Sequence, residues 1–537
     1  MIFPCCVWRR RVWSRIIDGQ IYSLASCKPV NLTRSSYGSL YKIGVQKCDS
    51  LGQNQASAPH PAIGSVFFAM EDIPTGGLSA ALIGLSTLIL ALAASYGALM
   101  FKRDYRASVG WLGLIWLVPL LGPILYFLFG INRIRRRARQ LGRQARDHAL
   151  DHIDQAPILR DPLYRCAEKL ASFPQTQGNT ITIYNTGDSC YQAMWQAIAK
   201  ARQRIVLSSY IFQNDGIGRQ FVRHLQAAHQ RGVEVRVLVD GAGLYYSLPT
   251  IWRLLRQTGV PSARFLHSLL PWRMPFINLR NHRKLLIVDE RIGFTGGMNI
   301  AQRHSGDPPQ QQDLHFSLRG PVVEQMAQVF AEDWAFTTGE SLEPLTEGDL
   351  QQEAGTLVAR GLVDGPDADF DRLRWALLAA LREARQEIII ITPYFLPDPT
   401  LITAINAAAL TGVRIVIVVP ERSNFRVVDW AMSNHLESVL RYGCEVHLAE
   451  PPFDHSKMML IDRRWAMIGS ANWDARSLRL NFEFNLELIG EQAVDRLHQE
   501  AQRKIAQSRR LTLRALRSQS LLARLRNAAA RLLTPYL

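Results

Sequence analysis

Lysine is nearly absent from the middle of this chain. Between Lys200 and Lys504 only Lys284 and Lys457 occur, although arginine is frequent across the same stretch. A general need for positive charge is excluded as the reason these two persist, because a guanidinium would meet it. Cysteine is also scarce. Of seven, Cys5, Cys6, Cys27 and Cys48 lie near the start, and Cys166, Cys190 and Cys444 are scattered singly. That excludes a disulfide framework for the main body and suits a reduced compartment. No H-E-x-x-H, paired C-x-x-C or carboxylate-rich triad accompanies the histidines, so no metal site is expected.

What is present is a duplicated frame around each spared lysine. Asn281-His-Arg-Lys-Leu-Leu-Ile-Val-Asp289 and Asp454-His-Ser-Lys-Met-Met-Leu-Ile-Asp462 both read H-x-K-x4-D. The runs Leu285 to Val288 and Met458 to Ile461 are apolar, as a buried strand requires. Side chains two apart share a strand face, which sets His282 beside Lys284 and His455 beside Lys457. Asp289 and Asp462 lie seven residues past the histidines. They complete the candidate catalytic set, though that odd spacing suits them better to fixing a turn than to touching substrate. Each strand leads to a small-residue loop, Thr295-Gly-Gly-Met-Asn299 or Gly469-Ser-Ala-Asn472. Glycine there is expected to let backbone approach a ligand, with Asn299 and Asn472 donating to an anion.

Two imidazoles, two ammonium groups and two amides suit phosphoryl transfer. A neutral imidazole can attack phosphorus, and a protonated one can supply the leaving alkoxide with its proton. Lysine offers fixed charge where the phosphoryl oxygens become more negative.

The duplication extends beyond the frames. Ala201 to Phe212 is echoed by Ala384 to Phe395, and Arg231-Gly-Val-Glu-Val235 by Thr411-Gly-Val-Arg-Ile415. Apolar strands alternate with helical patterns in both halves, so the fold class is α/β, with two pseudo-symmetric halves whose histidines meet at their interface.

The net charge of +16 favours anionic partners, nucleic acid or lipid. Two apolar runs decide for lipid. Leu78 to Phe101 and Ser108 to Ile131 carry no charge, and the connection between them is short. Each is long enough to cross a bilayer, which takes about 20 apolar residues, and together they read as a transmembrane helical hairpin. Pro119 and Pro123 mark where the second could kink or re-enter. Arg133 to Arg139, with Arg143 and Arg146 beyond, outweighs the basic residues of the connection. The positive-inside rule then puts the catalytic region in the cytoplasm, below a multi-pass anchor. Arg503 to Leu537 is basic and leucine-rich. It reads either as a helix on an anionic leaflet or as one packed inward by its leucines.

The two frames, with Phe294-Thr-Gly-Gly-Met-Asn299 and Ser470-Ala-Asn-Trp-Asp474-Ala-Arg-Ser477, resemble the phospholipase D superfamily and, within it, the bacterial cardiolipin synthases. The resemblance runs from about Gly76 to the C-terminus. It implies two phospholipase D-like α/β/α domains and phosphatidyl transfer between two phosphatidylglycerol molecules, giving cardiolipin and glycerol through a phosphatidyl-histidine. It implies no cofactor and no nucleic-acid partner. Hydrolysis by a phospholipase D-type phosphodiesterase, or transfer from another phospholipid, is the alternative, with a membrane-tethered nuclease behind them. The oligomeric state stays open. Family pattern also places an acid about thirty residues beyond each histidine to orient its ring, which selects Asp313 and Glu483. Where cardiolipin synthases usually show Trp-Arg-Asp, this chain has Gln311-Gln312-Asp313 after Pro308 to Gln310, implying altered lipid contacts there. Family precedent more often gives the nucleophile to the first frame, hence His282, with the reverse order left open by the pseudo-symmetry.

The expected organisation is an N-terminal extension at 1–75, disordered or an over-extended reading frame with Met70 as the true start. A hairpin follows at 76–131, a basic linker at 132–157, the first catalytic domain at 158–345 and a linker at 346–370. The second domain spans 371–500 and a basic amphipathic helix 501–537.

Overall fold

The computed structural model describes residues 21–22, 29–30, 75–102, 105–130, 161–266, 279–345, 355–366 and 371–534. The expectations for most of 1–75 and for the linker at 132–157 fall outside these residues. Within the leading unit, Ile21–Tyr22 pairs antiparallel with Pro29–Val30.

The catalytic region is built on one sheet made of two similar halves. The first contributes β1 (Thr176–Tyr184), β2 (Arg204–Ser209), β3 (Glu234–Asp240), β4 (Ser262–Phe265), β5 (Leu285–Val288), β6 (Ile292–Gly296) and β7 (His315–Arg319). The second contributes β8 (Leu357–Asp364), β9 (Glu387–Ile391), β10 (Arg414–Pro420), β11 (Glu445–Ala449), β12 (Met458–Ile461), β13 (Trp465–Gly469) and β14 (Asn481–Ile489), with β15 (Ser508–Leu511) added at its edge. The order across the sheet is β15-β11-β10-β9-β12-β13-β14-β8-β1-β7-β6-β5-β2-β3-β4. Read outward from the central β8–β1 pairing, each half repeats the same sequence of strands, which is the signature of a pseudo-two-fold. The strands that carry the frames, β5 and β12, match the expected runs residue for residue and are wholly buried.

Local chemistry supports each crossover. Thr186, Asp215 and Asp398 accept backbone N–H bonds at the starts of helices Gly187–Lys200, Gly216–Gln230 and Pro399–Leu410, the last with proline in its first turn. One face of each half is covered by its own helices. The other face is a core common to both, where Val329 and Phe330 of helix Val322–Thr338 join Val494 and Leu497 of helix Glu491–Ala506 over strands of both halves. Separating the halves would expose that core, so they form one unit.

Three expectations change. The linker expected at 346–370 contains β8, buried at every position and paired with both β14 and β1. Its alternation was masked because both faces are covered. The C-terminal stretch is not one helix. Glu491–Ala506 packs on the core, β15 extends the sheet, and two short helices, Leu513–Arg517 and Leu521–Arg531, follow.

The hairpin differs most. Among the described residues one helix, Ser79–Phe101, is long and apolar enough to cross a membrane. The second run breaks at Val118–Leu120 between helix Tyr105–Leu117 and the turn of helix and π-helix at Leu121–Gly130. At 1.5 Å per residue, Tyr105–Leu117 covers roughly 20 Å, short of the roughly 30 Å hydrocarbon core. The rings of Trp111 and Tyr126 lie 5.4 Å apart, so the chain doubles back. Pro119 supplies the break by withholding an N–H, and Gly122 permits the close return, since a Cβ there would sit 2.2 Å from the Leu114 carbonyl oxygen. Trp116 donates to Ser95 and Ser108 to the Ala98 carbonyl at 3.1 Å, joining this folded run to the long helix.

Candidate active site

Two short bridging strands bring the frames together. Arg280–Asn281 runs parallel to Asn481–Phe482, and Gln311–Gln312 runs parallel to Phe453–Asp454. The registers continue into the site: the His282 N–H donates to the Phe482 carbonyl at 2.9 Å, and the His455 N–H to the Gln312 carbonyl at 2.8 Å. Each histidine is thereby hung on the residue just before the other half's acid.

The acids then cross over. His282 Nδ1 lies 3.0 Å from both carboxylate oxygens of Glu483, and His455 Nδ1 lies 2.8 Å from Asp313 Oδ2. Asp313 and Glu483 are therefore brought to the histidines, each serving the frame of the opposite half. The Gln311-Gln312 departure does not displace Asp313, because those residues act through backbone pairing.

Both lysines are buried beside their histidines. Lys284 Nζ donates to the His282 carbonyl at 2.7 Å and lies 5.6 Å from the centre of the Tyr210 ring. Lys457 Nζ donates to the His455 carbonyl and sits 2.8 Å from His455 Nδ1. The residues preceding the histidines anchor the frames to partners of opposite charge. Asn281 Nδ2 donates to Asp333 at 2.9 Å, whereas Asp454 pairs with Lys504 at 2.6 Å.

Electrostatics in this cleft follow from burial. Desolvation pulls Lys284 down to about 7 and Lys457 to about 8, with Glu483 and Asp313 respectively opposing the shift. Burial likewise lowers both catalytic-frame histidines, His455 further than His282 because Lys457 adds to it whereas Glu483 supports the charged ring of His282. Burial raises Asp313 to about 6, against the pull of Lys457. For Glu483 burial also acts upward, yet His282, Lys284 and a hydrogen bond from Ser470 outweigh it and hold the carboxyl below its usual range.

The aspartates of the frames are elsewhere, which corrects their place in the catalytic set. Asp289 accepts the N–H groups of Arg202, Gln203 and Arg204, and Asp462 those of Arg385, Gln386 and Glu387, all at 2.7–2.9 Å. They pin the loops that open β2 and β9. The asparagines also diverge. Asn299 spends its carbonyl oxygen on the Ile211 N–H at 3.1 Å. Asn472 lines one small cavity with Lys457, keeps a buried Oδ1 without a partner, and hydrogen-bonds Asp474. Gly297 admits Asp313 rather than ligand, since a Cβ there would stand 2.0 Å from Asp313 Oδ1.

Several site residues were not singled out from sequence. Ser470 Oγ and Asn481 Nδ2 both donate to Glu483, the latter at 3.1 Å. Tyr210 and Tyr394 set their rings edge-on to His282 and His455, with centroids 5.0 and 6.1 Å away. Both tyrosines end the repeated strand segments, and that echo was the available signal. His304 and His315, held neutral near 3 by burial, accept the N–H groups of Asn299 and Met298.

A duplicated α/β sheet in which two His–Lys frames exchange their carboxylates defines a phospholipase D-like protein. A family model described as cardiolipin synthase, PLD-like domain, matches residues 194–334 and 377–505, and one described as phospholipase D-nuclease N-terminal matches 89–130. The chain belongs to this cardiolipin synthase family of phospholipase D-like proteins. It is similar to cardiolipin synthase A of Pseudomonas entomophila (30% identity over 472 residues, 85% of this chain and 98% of that one). It is also similar to cardiolipin synthase of Geobacillus kaustophilus (28% over 490 residues, 87% and 97%). Phosphatidylserine synthase of Haemophilus influenzae shares the fold, with a TM-score of 0.53 at 15% identity, covering 70% of this chain and 100% of that structure.

Proposed function

We propose that the protein is a phosphatidyltransferase that condenses two phosphatidylglycerol molecules into cardiolipin and glycerol. The observation that carries this reading is the exchanged pairing of His282 with Glu483 and His455 with Asp313, in a chain whose relatives along most of its length are cardiolipin synthases.

Glu483, kept ionised, accepts the Nδ1 proton of His282 and leaves Nε2 with a free lone pair. His282 Nε2 attacks the phosphorus of one phosphatidylglycerol. The bond from phosphorus to the terminal glycerol oxygen breaks, and that oxygen takes a proton from His455, so glycerol leaves. The hydroxyl of a second phosphatidylglycerol then returns a proton to His455 and attacks phosphorus, and the histidine–phosphorus bond breaks to give cardiolipin. Lys284 and Lys457 face the phosphoryl oxygens. Burial favours the neutral form of both rings, and an anionic phosphodiester supplies the charge that lets His455 carry its proton.

The catalytic halves sit at the cytoplasmic face of a bacterial inner membrane. The second apolar run turns back on itself, and the arginine-rich sequence from Arg133 to Arg139 that follows it is the positive flank that the positive-inside rule assigns to the cytoplasm.

The test is to incubate purified protein in detergent with labelled phosphatidylglycerol and separate the lipids. Cardiolipin with free glycerol is expected. Phosphatidic acid alone would instead identify a hydrolase.

A further inference from the structure

We infer that the C-terminal helix Leu521–Arg531, with Leu532 and Leu533 after it, is a docking strip for the anionic surface of a lipid bilayer. Sequence left open whether its leucines pack inward, and the contacts settle the matter. The helix rests against helix Arg426–Leu440 through Asn527 and Ala530, the two residues it buries, while Arg526 stacks 4.5 Å from the Trp430 ring centre. Leu521, Leu522, Leu525 and Leu532 remain 70%, 79%, 57% and 75% exposed. A helix that turns its small and polar residues to the protein and its leucines to solvent needs an apolar partner from outside.

The charge pattern selects the partner. From Gln507 to Leu537 there are seven arginines and no acidic residue. A second copy docking symmetrically would set these arginines against themselves, whereas phosphate headgroups complement them. The strip is held firmly enough to transmit the contact: β15 pairs with β11, Arg509 binds Glu421 at 2.7 Å, and Arg517 binds Glu437 at 3.1 Å.

Its placement also links it to the chemistry. Helix Arg426–Leu440 begins after Asn424, whose Oδ1 accepts from the Tyr394 hydroxyl at 2.5 Å, and Tyr394 packs on His455. Phe425, at that same helix start, is 51% exposed. Docking the strip holds the helix that borders the His455 side of the cleft against the leaflet that contains the substrate.

This inference deepens the proposed function and rests on it for the substrate, but docking is read without catalysis. Full-length protein with its native cysteines replaced carries a nitroxide at Leu525→Cys and is reconstituted in vesicles. In phosphatidylglycerol-containing vesicles the label is expected to become accessible to oxygen and shielded from a water-soluble nickel chelate, relative to pure phosphatidylcholine. Equal nickel accessibility in both overturns the inference. Spin–spin broadening that is independent of lipid also overturns it, in favour of a second copy. As a functional arm, the Leu522→Ser, Leu525→Ser double variant is expected to raise KM in vesicles about tenfold and leave turnover of detergent-dispersed substrate unchanged. A loss of equal size in both media means the leucines serve folding and sinks the proposal. Absence of cardiolipin synthesis would refute the proposed function alone and leave the label result standing.

Discussion

His282 takes its carboxylate partner, Glu483, from the opposite half of the molecule, with 3.0 Å from Nδ1 to each oxygen. Asp313 and His455 repeat the exchange. Neither half therefore holds a complete histidine–acid pair, and the common core that locks the halves together is also what assembles the chemistry. Glu483→Gln keeps the shape but loses the charge and is expected to cut kcat by about tenfold to a hundredfold, with Asp313→Asn comparable. Turnover measured alongside thermal unfolding checks this. A variant that folds normally and works at the wild-type rate would show that the crossed pair is only structural.

The lysines carry a cost to the fold that the reaction needs. Their folded values, about 7 and 8, lie below the ordinary lysine value, so between them and that value the unfolded chain binds more protons. Stability from these groups accordingly rises with pH across that window, and the penalty is full below about 7. Lys284→Met is expected to abolish activity yet raise the unfolding temperature at pH 6, the gain shrinking toward pH 9. Lys284→Arg and Lys457→Arg should also lose most activity, because a planar fork does not replace a compact ammonium in a closed pocket. For the wild type, kcat/KM is expected to fall as pH rises through about 7 to 8, since the free cleft then loses its positive charge. A flat profile to pH 9 would contradict that assignment.

Gly297 tests the loop. With a Cβ only 2.0 Å from Asp313 Oδ1, Gly297→Ala must push the carboxylate off His455. Activity should drop at least as far as in Asp313→Asn, and the variant should unfold earlier by about 1–3 kcal/mol of overpacking. Wild-type turnover in Gly297→Ala would mean the loop can yield without disturbing the pair.

What sequence disclosed and what it hid divide along a physical line. The frames, strands β5 and β12, and the two-half design were legible because they depend on local spacing and repetition. The exchange of Glu483 and Asp313 was not, because both acids lie at similar distances from their own histidines along the chain and only the bridging strands decide the pairing. The glycines were read as room for ligand, yet Gly297 makes room for a neighbouring acid. Apolar length suggested a second span and Pro119 marked where it could kink or re-enter, whereas the close return at Gly122 rests on backbone geometry that composition does not reveal. Tyr210 and Tyr394 were visible as an echo and became meaningful only once their rings were found on the histidines.

The division of labour between the histidines gives the last prediction. Glu483 receives Ser470, Asn481 and His282, an arrangement that keeps it ionised and fixes His282 with its Nδ1 protonated and Nε2 open. His455 shares its Nδ1 between Asp313 and Lys457, and its acid is raised to about 6, so its state depends more on the charge that substrate brings. Those environments fit His282 to attack and His455 to pass a proton. With a donor whose leaving group needs no proton, His455→Ala should still accumulate a phosphatidyl-enzyme on His282, whereas His282→Ala should form none. Acid-quenched mass spectrometry after exposure to an activated phosphatidyl donor reads this directly. An adduct on His455 in the His282→Ala protein would reverse the roles. No adduct in the variants or the wild type would argue that phosphatidyl passes between the two lipids without a covalent stop.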